Sequence, residues 1–157
     1  MKYKCENELH TLSFKDFSIS SISFANNKLT IMTNGGIARY DNSCNETLEE
    51  RYISECEITF FDANITRFFL EGGKVYNADD VLLKEIPDID FAKEEFGEKL
   101  KLLANEESVI FFLSSSKTEK CPYYEFAVDV VNDTYWLNID ASKVTVSFER
   151  FMNRVIQ

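Results

Sequence analysis

Asp16 and Asp62 are the residues whose repetition could support acid–base chemistry. Each follows a predicted strand that ends in a phenylalanine, Phe14 or Phe60. Two carboxylates that meet in one cleft can act as general acid and general base when burial raises the pKa of one of them. The same positions also suit residues that accept hydrogen bonds from nearby backbone N–H groups and fix a turn. We favour the turn, because an internal repeat of the chain accounts for both aspartates.

Other groups that could carry catalysis or bind a metal are sparse. His10 is the single histidine, and the alternation of residues 8–14 predicts that it lies half-buried on a strand. No serine or cysteine in a nucleophile motif accompanies it, and phosphate loops, metalloprotease helices and GxSxG elbows are missing. The cysteines lack C-x-x-C spacing, so no zinc site or redox pair is indicated among Cys5, Cys44, Cys56 and Cys121. The sequence therefore predicts no enzymatic activity, no metal and no cofactor.

The elements that would position these residues follow from the repeat. Residues 12–29, LSFKDFSISSISFANNKL, recur as residues 58–75, ITFFDANITRFFLEGGKV, at a constant offset of 46 positions. Apolar alternation and turn residues such as Asn34-Gly35-Gly36 divide each unit into four strands. We therefore predict that residues 1–86 form two tandem four-stranded antiparallel meanders, which could stack as a sandwich, curl into a barrel or share one sheet.

After Pro87 the apolar period changes from 2 to about 3.6. With Asp90 as N-cap, this period predicts a helix of about four turns along the stripe Ala92, Phe96, Leu100 and Leu103. The apolar run 109–113 then predicts a buried strand, and residues 123–131 and 134–140 predict a hairpin turning at Asn132-Asp133. Ser147 is a plausible N-cap for a carboxyl-terminal helix, because helical spacing follows in Phe148, Phe151, Met152 and Val155.

These elements predict an α+β fold that is predominantly antiparallel β. The 157 residues suit a single domain, 1–157, in which an α+β region, 87–157, packs on the duplicated region 1–86. The amino terminus has no apolar h-region, and no run approaches the ~20 apolar residues of a membrane span, so we expect a cytoplasmic protein. The net charge of −10 argues against nucleic acid or an anionic membrane as a partner and permits a basic protein.

Acidic residues concentrate in residues 85–98, where six carboxylates face one lysine. They could form a recognition surface for a basic partner, or simply a solvated helix face with acids near its N-terminus. As partner-binding charges we select Asp79, Asp80, Glu94, Glu95 and Glu98. Adjacent aromatic pairs, such as Phe68-Phe69, place one ring on each face of a strand and require both faces to be covered. The alternative site is a small-molecule pocket lined by Tyr52, Tyr76, Tyr123 or Trp136.

The carboxyl end, from Val109 onward, resembles the SUKH superfamily, which is dominated by bacterial immunity proteins against secreted toxins. The shared features are a buried strand, a hairpin and a closing helix announced by Ser-Phe-x-x-Phe, here Ser147-Phe148-Glu149-Arg150-Phe151. Met152 follows where the family usually has Leu, and the family opens with helices, whereas this chain opens with repeated strands. The signature residues are structural, so the resemblance transfers no functional residue.

Together these observations predict a cytoplasmic bacterial protein-binding module of the immunity type, which neutralises a toxin domain through an acidic surface. The alternatives are a small-molecule binding β-module with an aromatic-lined pocket, or a protein whose activity cannot be read from its sequence.

Overall fold

The computed structural model describes residues 1–116 and 123–156. Most of these residues lie in antiparallel strands, and their one α-helix, α1, spans Phe96–Leu103. Two 3-10 turns cover Leu9–Thr11 and Lys93–Glu95. In chain order the strands are β1 (Tyr3–Glu6), β2 (Leu12–Ser13), β3 (Ile19–Ala25), β4 (Lys28–Thr33), β5 (Gly36–Ala38), β6 (Arg51–Ile53), β7 (Cys56–Phe61), β8 (Asn64–Leu70), β9 (Gly73–Tyr76), β10 (Leu82–Ile86), β11 (Ile89–Asp90), β12 (Ser108–Ser116), β13 (Tyr123–Val130), β14 (Asp133–Asp140), β15 (Lys143–Phe148) and β16 (Phe151–Arg154).

The first sheet has the strand order β1-β15-β7-β4-β3. Its central strands carry buried apolar side chains at alternate positions, as a strand with one face on a core requires. The register aligns these side chains in rows across the sheet, Leu29 with Phe60 and Val144, then Ile31 with Ile58 and Val146. Such rows of β-branched and aromatic residues on one face are what stabilise a sheet.

The second sheet has the strand order β11-β8-β14-β13-β12. Its buried face is built in the same way, with rows formed by Phe68, Leu137 and Phe126 and by Ile65, Ile139 and Tyr124. The buried faces of the two sheets share one hydrophobic core cluster, in which the rings of Phe60 and Tyr124 lie 5.0 Å apart edge to face.

A smaller third sheet, β16-β6-β5-β2, contributes Leu12, Ala38 and Ile53 to the same core cluster. Leu100 and Leu103 of α1 also belong to it. Within the described ranges, no helix has the length and apolar character needed to cross a membrane.

The prediction of a mainly antiparallel β structure is confirmed, and so are a helix after Pro87, a following strand and a hairpin, as α1, β12 and the β13–β14 pair. At eight residues, α1 is shorter than the predicted four turns. The pairing within residues 1–86 differs from two tandem meanders. β2 pairs with β5, and β7 and β8 lie in different sheets. The physical reason lies in β7, where Ile58, Thr59 and Phe60 are all buried. β7 is therefore buried on both faces. Both of its edges are also paired, one with β4 and the other with β15 from the far end of the chain, so no edge is left for β8.

The predicted carboxyl-terminal helix is wrong. Residues 143–154 form β15 and β16, and Ser147 lies within β15 opposite Lys4 and Glu57. The alternating Val144, Val146 and Phe148 are buried, which a sheet accommodates and a helix does not.

Two further predictions need correction. α1 begins at Phe96 instead of soon after Asp90, because Asp90 lies in β11 and pairs there with Phe69 of β8. His10 is exposed in the first 3-10 turn, whereas its neighbours Leu9 and Thr11 are buried, so it does not share a strand face with Leu12.

Candidate functional site

The feature that stands apart from the core is a two-stranded ribbon, residues 73–86, which we call the arm. Among residues 1–116 and 123–156, its strands β9 and β10 pair only with each other, in the register Tyr76 with Leu82 and Val75 with Lys84, and a bulge falls at Leu83. Six large apolar side chains of the arm are exposed, at 44% to 63%, namely Val75, Tyr76, Val81, Leu82, Leu83 and Ile86. An isolated two-stranded hairpin is at best marginally stable in water. Uncovered apolar side chains on both of its faces are therefore suited to contact with another molecule.

The root of the arm is held by a close backbone crossing. The chain passes from β8 into β9 at Gly72, and it returns from β10 into β11 at Pro87. A Cβ atom on Gly72 would lie 2.0 Å from the carbonyl oxygen of Ile86, so only glycine fits here. The Gly72 N–H donates to Oδ1 of Asp88 at 2.8 Å. The arm is thus fixed to the second sheet by a steric constraint and a charge-assisted hydrogen bond.

The tip of the arm is an Asn-led turn that carries two of the predicted partner-binding charges. Oδ1 of Asn77 accepts hydrogen bonds from the backbone N–H groups of Asp79, at 2.8 Å, and Val81, at 3.0 Å. Asp80 has φ of 59°, a left-handed conformation that Asp tolerates. The carboxylates of Asp79 and Asp80 are therefore displayed in solvent by an ordered turn.

An arginine clamp lies where the arm joins the second sheet. Arg67 Nε donates to Oδ1 of Asp90 at 2.6 Å, and its Nη2 donates to Oδ2 of Asp90 at 3.2 Å and Oδ2 of Asp88 at 3.4 Å. The guanidinium also stacks on the Phe69 ring, 3.7 Å from its centre. The hydrogen bond from Arg67 lowers the pKa of Asp90, and the same bond raises the pKa of Arg67. These groups are exposed, so the clamp fixes geometry more than it adds stability.

The outer face of the second sheet, beside this clamp, is aromatic. Trp136 stacks parallel to Phe69 with ring centres 6.4 Å apart, and Phe112 lies 5.9 Å from the Trp136 ring on the other side. The indole N–H of Trp136 donates to Glu71 at 3.3 Å. A shallow cavity of about 310 Å³ is lined by the rings of Phe69 and Trp136, by Arg67 and Asn138, and by the carboxylates of Glu71, Asp88 and Glu125. The root of the arm therefore opens onto an aromatic surface bordered by acids.

The other predicted charges lie after β11. Glu94 and Glu95 belong to the second 3-10 turn and Glu98 to the first turn of α1, and all three are exposed. Glu95 also accepts a hydrogen bond from the Ala92 N–H at 3.3 Å, so it helps to begin the helix. The chain between Asp80 and β11 is extended, so the tip lies roughly 20–30 Å along the ribbon from these glutamates. The five charges thus form two groups, one at each end of the ribbon.

The four aromatic residues of the pocket alternative are not brought together. Tyr52 lies on β6 in the third sheet, Tyr76 on the arm, and Tyr123 and Trp136 on neighbouring strands of the second sheet. Tyr123 pairs with Asp140 and is therefore four residue pairs away from Trp136, about 13 Å along the sheet. Of the four, Trp136 lines the cavity beside the clamp.

The repeated aspartates both occupy turns. Asp16 has φ of 72° and Asp62 φ of 50°, and both side chains are exposed. The hydroxyl of Ser142 donates to Oδ2 of Asp62 at 2.7 Å, and the backbone N–H of Asp16 donates to the carbonyl of Ile110 at 2.9 Å. The left-handed conformations place both aspartates in turns, as predicted. Among the described residues no backbone N–H donates to either carboxylate, so the expected way in which these side chains fix the turns is not seen.

Two buried thiols, Cys5 and Cys56, are held in their protonated form. Burial raises the pKa of Cys5 to about 11 and that of Cys56 to about 12. A thiol reacts as its thiolate, so neither side chain is suited to nucleophilic chemistry near neutral pH. Cys121 lies outside the described residues. Within residues 1–116 and 123–156, no three His, Cys, Asp or Glu side chains are grouped so that they could hold a metal ion.

The sequence interpretation missed the apolar side chains of the arm and the residues at its root. The signals were the continuous run Val81-Leu82-Leu83, which offers no polar face to solvent, and the glycine pair Gly72-Gly73. Arg67 gave no signal, because its partners lie 21 and 23 positions away.

Comparison with known proteins gave no relative from which a function could be transferred. The chain matches no protein-family model, no curated protein and no solved structure. The resemblance of the carboxyl end to the SUKH superfamily therefore stays a prediction.

Proposed function

We propose that the protein is a protein-binding module that holds a basic partner protein against the arm and the outer face of the second sheet. The observation that carries this proposal is the exposure of six apolar side chains on a ribbon whose strands have no other pairing partner in the part of the chain that the structure describes. Burial of such side chains by a partner supplies the main driving force of association.

The charge around the arm favours a basic partner. Residues 71–98 contain nine carboxylates and three lysines, so they carry more than half of the net charge of −10. Arg67 neutralises part of this at Asp88 and Asp90, whereas Asp79 and Asp80 at the tip are exposed and form no ion pair with any described residue. Exposed charges of one sign accelerate and orient the approach of an oppositely charged partner.

The aromatic residues supply the types of side chain that dominate binding energy at protein interfaces. Tyr76 on the arm and Trp136 with Phe112 on the outer face combine a large apolar body with little conformational entropy to lose. The cavity beside Trp136 could accept one side chain of the partner. Arg67 lines it too and is paired with Asp88, which leaves the carboxylates of Glu71 and Glu125 to attract a lysine or an arginine.

Among basic partners, a toxin domain is the one that the resemblance to the SUKH superfamily implies. An immunity protein of this kind acts by covering the toxin and needs no catalytic group of its own. The proposed setting is the cytoplasm of a bacterium that makes or meets the toxin.

Site-specific photo-cross-linking tests the proposal. A benzophenone amino acid replaces Leu83, which is 63% exposed on the arm, or Leu48, which is 85% exposed in the loop between β5 and β6. After irradiation in the native host, we expect one discrete adduct at Leu83 that is absent at Leu48, and we expect its partner to be a basic protein.

Three results would overturn the proposal. Identical adducts at both positions would mean that cross-linking reports exposure alone. An adduct with a second copy of this chain would make the arm a dimerisation element. The absence of any adduct at Leu83, while the variant keeps its native melting temperature, would leave the arm without a partner.

A further inference from the structure

A second candidate site lies away from the arm, in a cleft between α1 and the turns that join β3 to β4 and β7 to β8. The cleft has a volume of about 550 Å³, which lies within the roughly 300–1,000 Å³ of small-molecule sites. Its walls come from β3, from the start of β8 and from one face of α1. The proposed protein-binding function does not use it.

The cleft is held open by the elements around it. The backbone N–H of Ala63 donates to the carbonyl of Asn27 at 2.7 Å, which ties the two turns together beneath the helix. The buried Leu100 fixes α1 to the core, and Phe96 packs 5.8 Å from the ring of Phe68. Between these residues, Gly97 faces the cleft, and a Cβ atom added there would meet no other atom within 4 Å. The space above the helix backbone at Gly97 is therefore empty.

Most of the uncharged lining of the cleft is apolar, and Ser23, Asn27 and Asn64 add polar groups. Ile22, Ile65 and Leu100 line it, and Ile65 and Leu100 are buried by the surrounding protein. Phe24 lies at the opening and is 39% exposed. An apolar ligand body would remove the exposed parts of Ile22 and Phe24 from water and would contact the buried Ile65 and Leu100 beneath them.

The charged residues that line the cleft are both cationic, in a protein whose net charge is −10. They are Lys93, which precedes α1, and Lys101, on its last turn, and neither forms an ion pair with any described residue. Lys93, in the second 3-10 turn, and Lys101, on α1, line the cleft, whereas Glu94, Glu95 and Glu98 do not. The local charge therefore selects an anion.

We propose that this cleft binds a small amphipathic carboxylate. Its apolar body lies against Ile22, Ile65 and Leu100, and its carboxylate accepts hydrogen bonds from Lys93 and Lys101 at the rim. The ammonium groups supply attraction at the opening, and the interior supplies apolar contact.

Calorimetric titration with decanoate, below its micelle concentration, tests the proposal, with 1-decanol as the uncharged counterpart. We expect saturable 1:1 binding of decanoate and weaker binding of decanol. The double variant Lys93→Gln, Lys101→Gln should weaken decanoate binding by about tenfold or more and leave decanol binding unchanged. Lys4→Gln is the control, because it also removes a positive charge but lies on β1, at the edge of the first sheet opposite β3. It should leave the binding of both decanoate and decanol unchanged.

Gly97 provides the steric test. Gly97→Phe projects a ring into the cleft and should abolish binding of both ligands, whereas Gly97→Ala should retain it because its methyl group meets nothing. The proposal is overturned if decanoate fails to bind, if the double lysine variant binds it as tightly as the wild type, or if Gly97→Phe binds it unchanged. Arm variants should bind decanoate normally, so loss of the partner and loss of the ligand are distinguishable.

Discussion

Gly72→Ala is the substitution that should detach the arm from the body of the protein. No glycine that the structure describes has a positive φ, so alanine can adopt the backbone conformation of Gly72. The effect of the substitution is therefore steric. The new methyl carbon would lie 2.0 Å from the carbonyl oxygen of Ile86 and 2.6 Å from the carbonyl carbon of Pro87, and both neighbours are backbone atoms.

The size of the destabilisation by Gly72→Ala follows from the distance by which the two backbone segments must separate. Ordinary contact begins near 3.4 Å, so the two segments must separate by more than 1 Å, which also breaks the 2.8 Å hydrogen bond from Gly72 to Asp88. Overpacking of this kind costs about 1–3 kcal/mol, and the exposed hydrogen bond adds up to about 1 kcal/mol. Because alanine loses less chain entropy on folding, roughly 0.4–1 kcal/mol is regained. Together these terms should lower the free energy needed to open the arm by about 1–3 kcal/mol.

Hydrogen exchange followed by mass spectrometry measures this loss. Peptides covering residues 73–86 should exchange roughly ten- to hundredfold faster in Gly72→Ala, because their amides exchange through opening of the arm. Peptides from β4, β7 and β15 should be unaffected, since those strands lie in the first sheet.

Gly73→Ala is the matched control, because a Cβ atom there meets nothing within 4 Å. It should leave exchange in the arm unchanged or slightly slower. If both alanine variants exchange alike, the crossing at Gly72 does not hold the arm, and the description of a rigid root is wrong.

Three further predictions concern the clamp, the thiols and the terminal strands. Arg67→Gln should raise the pKa of Asp90 toward its ordinary value of about 3.9 in an NMR titration, because it removes the hydrogen bond that lowers this pKa. In the wild type the ion pair is complete above the ordinary pKa of Asp90 and is lost as the pH falls through the lowered pKa. Iodoacetamide at pH 8 should leave Cys5 and Cys56 unmodified in peptide maps of the native protein, because burial raises their pKa to about 11 and about 12. Ser147→Pro should prevent folding, measured by circular dichroism, because β15 is paired on both sides and cannot lose a ladder hydrogen bond.

Each of these predictions can fail. An Asp90 pKa that does not respond to loss of Arg67 would mean that the ion pair does not form in solution. Alkylation of Cys5 or Cys56 without unfolding would show that these thiols are accessible. A Ser147→Pro variant with an unchanged melting temperature would favour a helix that begins there, since the first turn of a helix accepts proline.

The strands of the core were predictable because their side chains alternate. The alternation of apolar residues predicts one buried face in each strand, formed by Leu29 and Ile31 in β4 and by Ile58 and Phe60 in β7. Their partners were not predictable, because β7 pairs with β15, more than 80 positions away, and nothing local specifies that register.

The carboxyl-terminal error shows how two periods can coincide. Phe148 and Phe151 have helical spacing, yet they are placed by a turn between two strands, and both rings pack on Tyr3, at 5.3 Å and 4.9 Å. The alternation of Val144 and Val146 was the better signal. Contacts with the opposite end of the chain decided between the two periods.

For the candidate site, the acidic residues were predictable from their density, and the hairpin of the arm from its turn residues. The exposure of the arm was not predictable, because an apolar run such as residues 81–83 predicts burial but does not indicate which part of the protein, or which partner, covers it. Gly72 and Arg67 acquire their roles only when β8 and β11 pair.

The most direct test of the proposed function is the affinity of arm variants for the partner that cross-linking identifies, purified separately. The double variant Tyr76→Ser, Leu83→Ser removes two exposed apolar contacts of the arm, and Leu48→Ser removes one outside it. We predict that calorimetry will show binding about 30-fold weaker or more for the arm variant, the loss of about 2 kcal/mol typical of central interface residues, and unchanged binding for Leu48→Ser. Equal affinity of the wild type and the arm variant would contradict the proposal that the arm binds the partner.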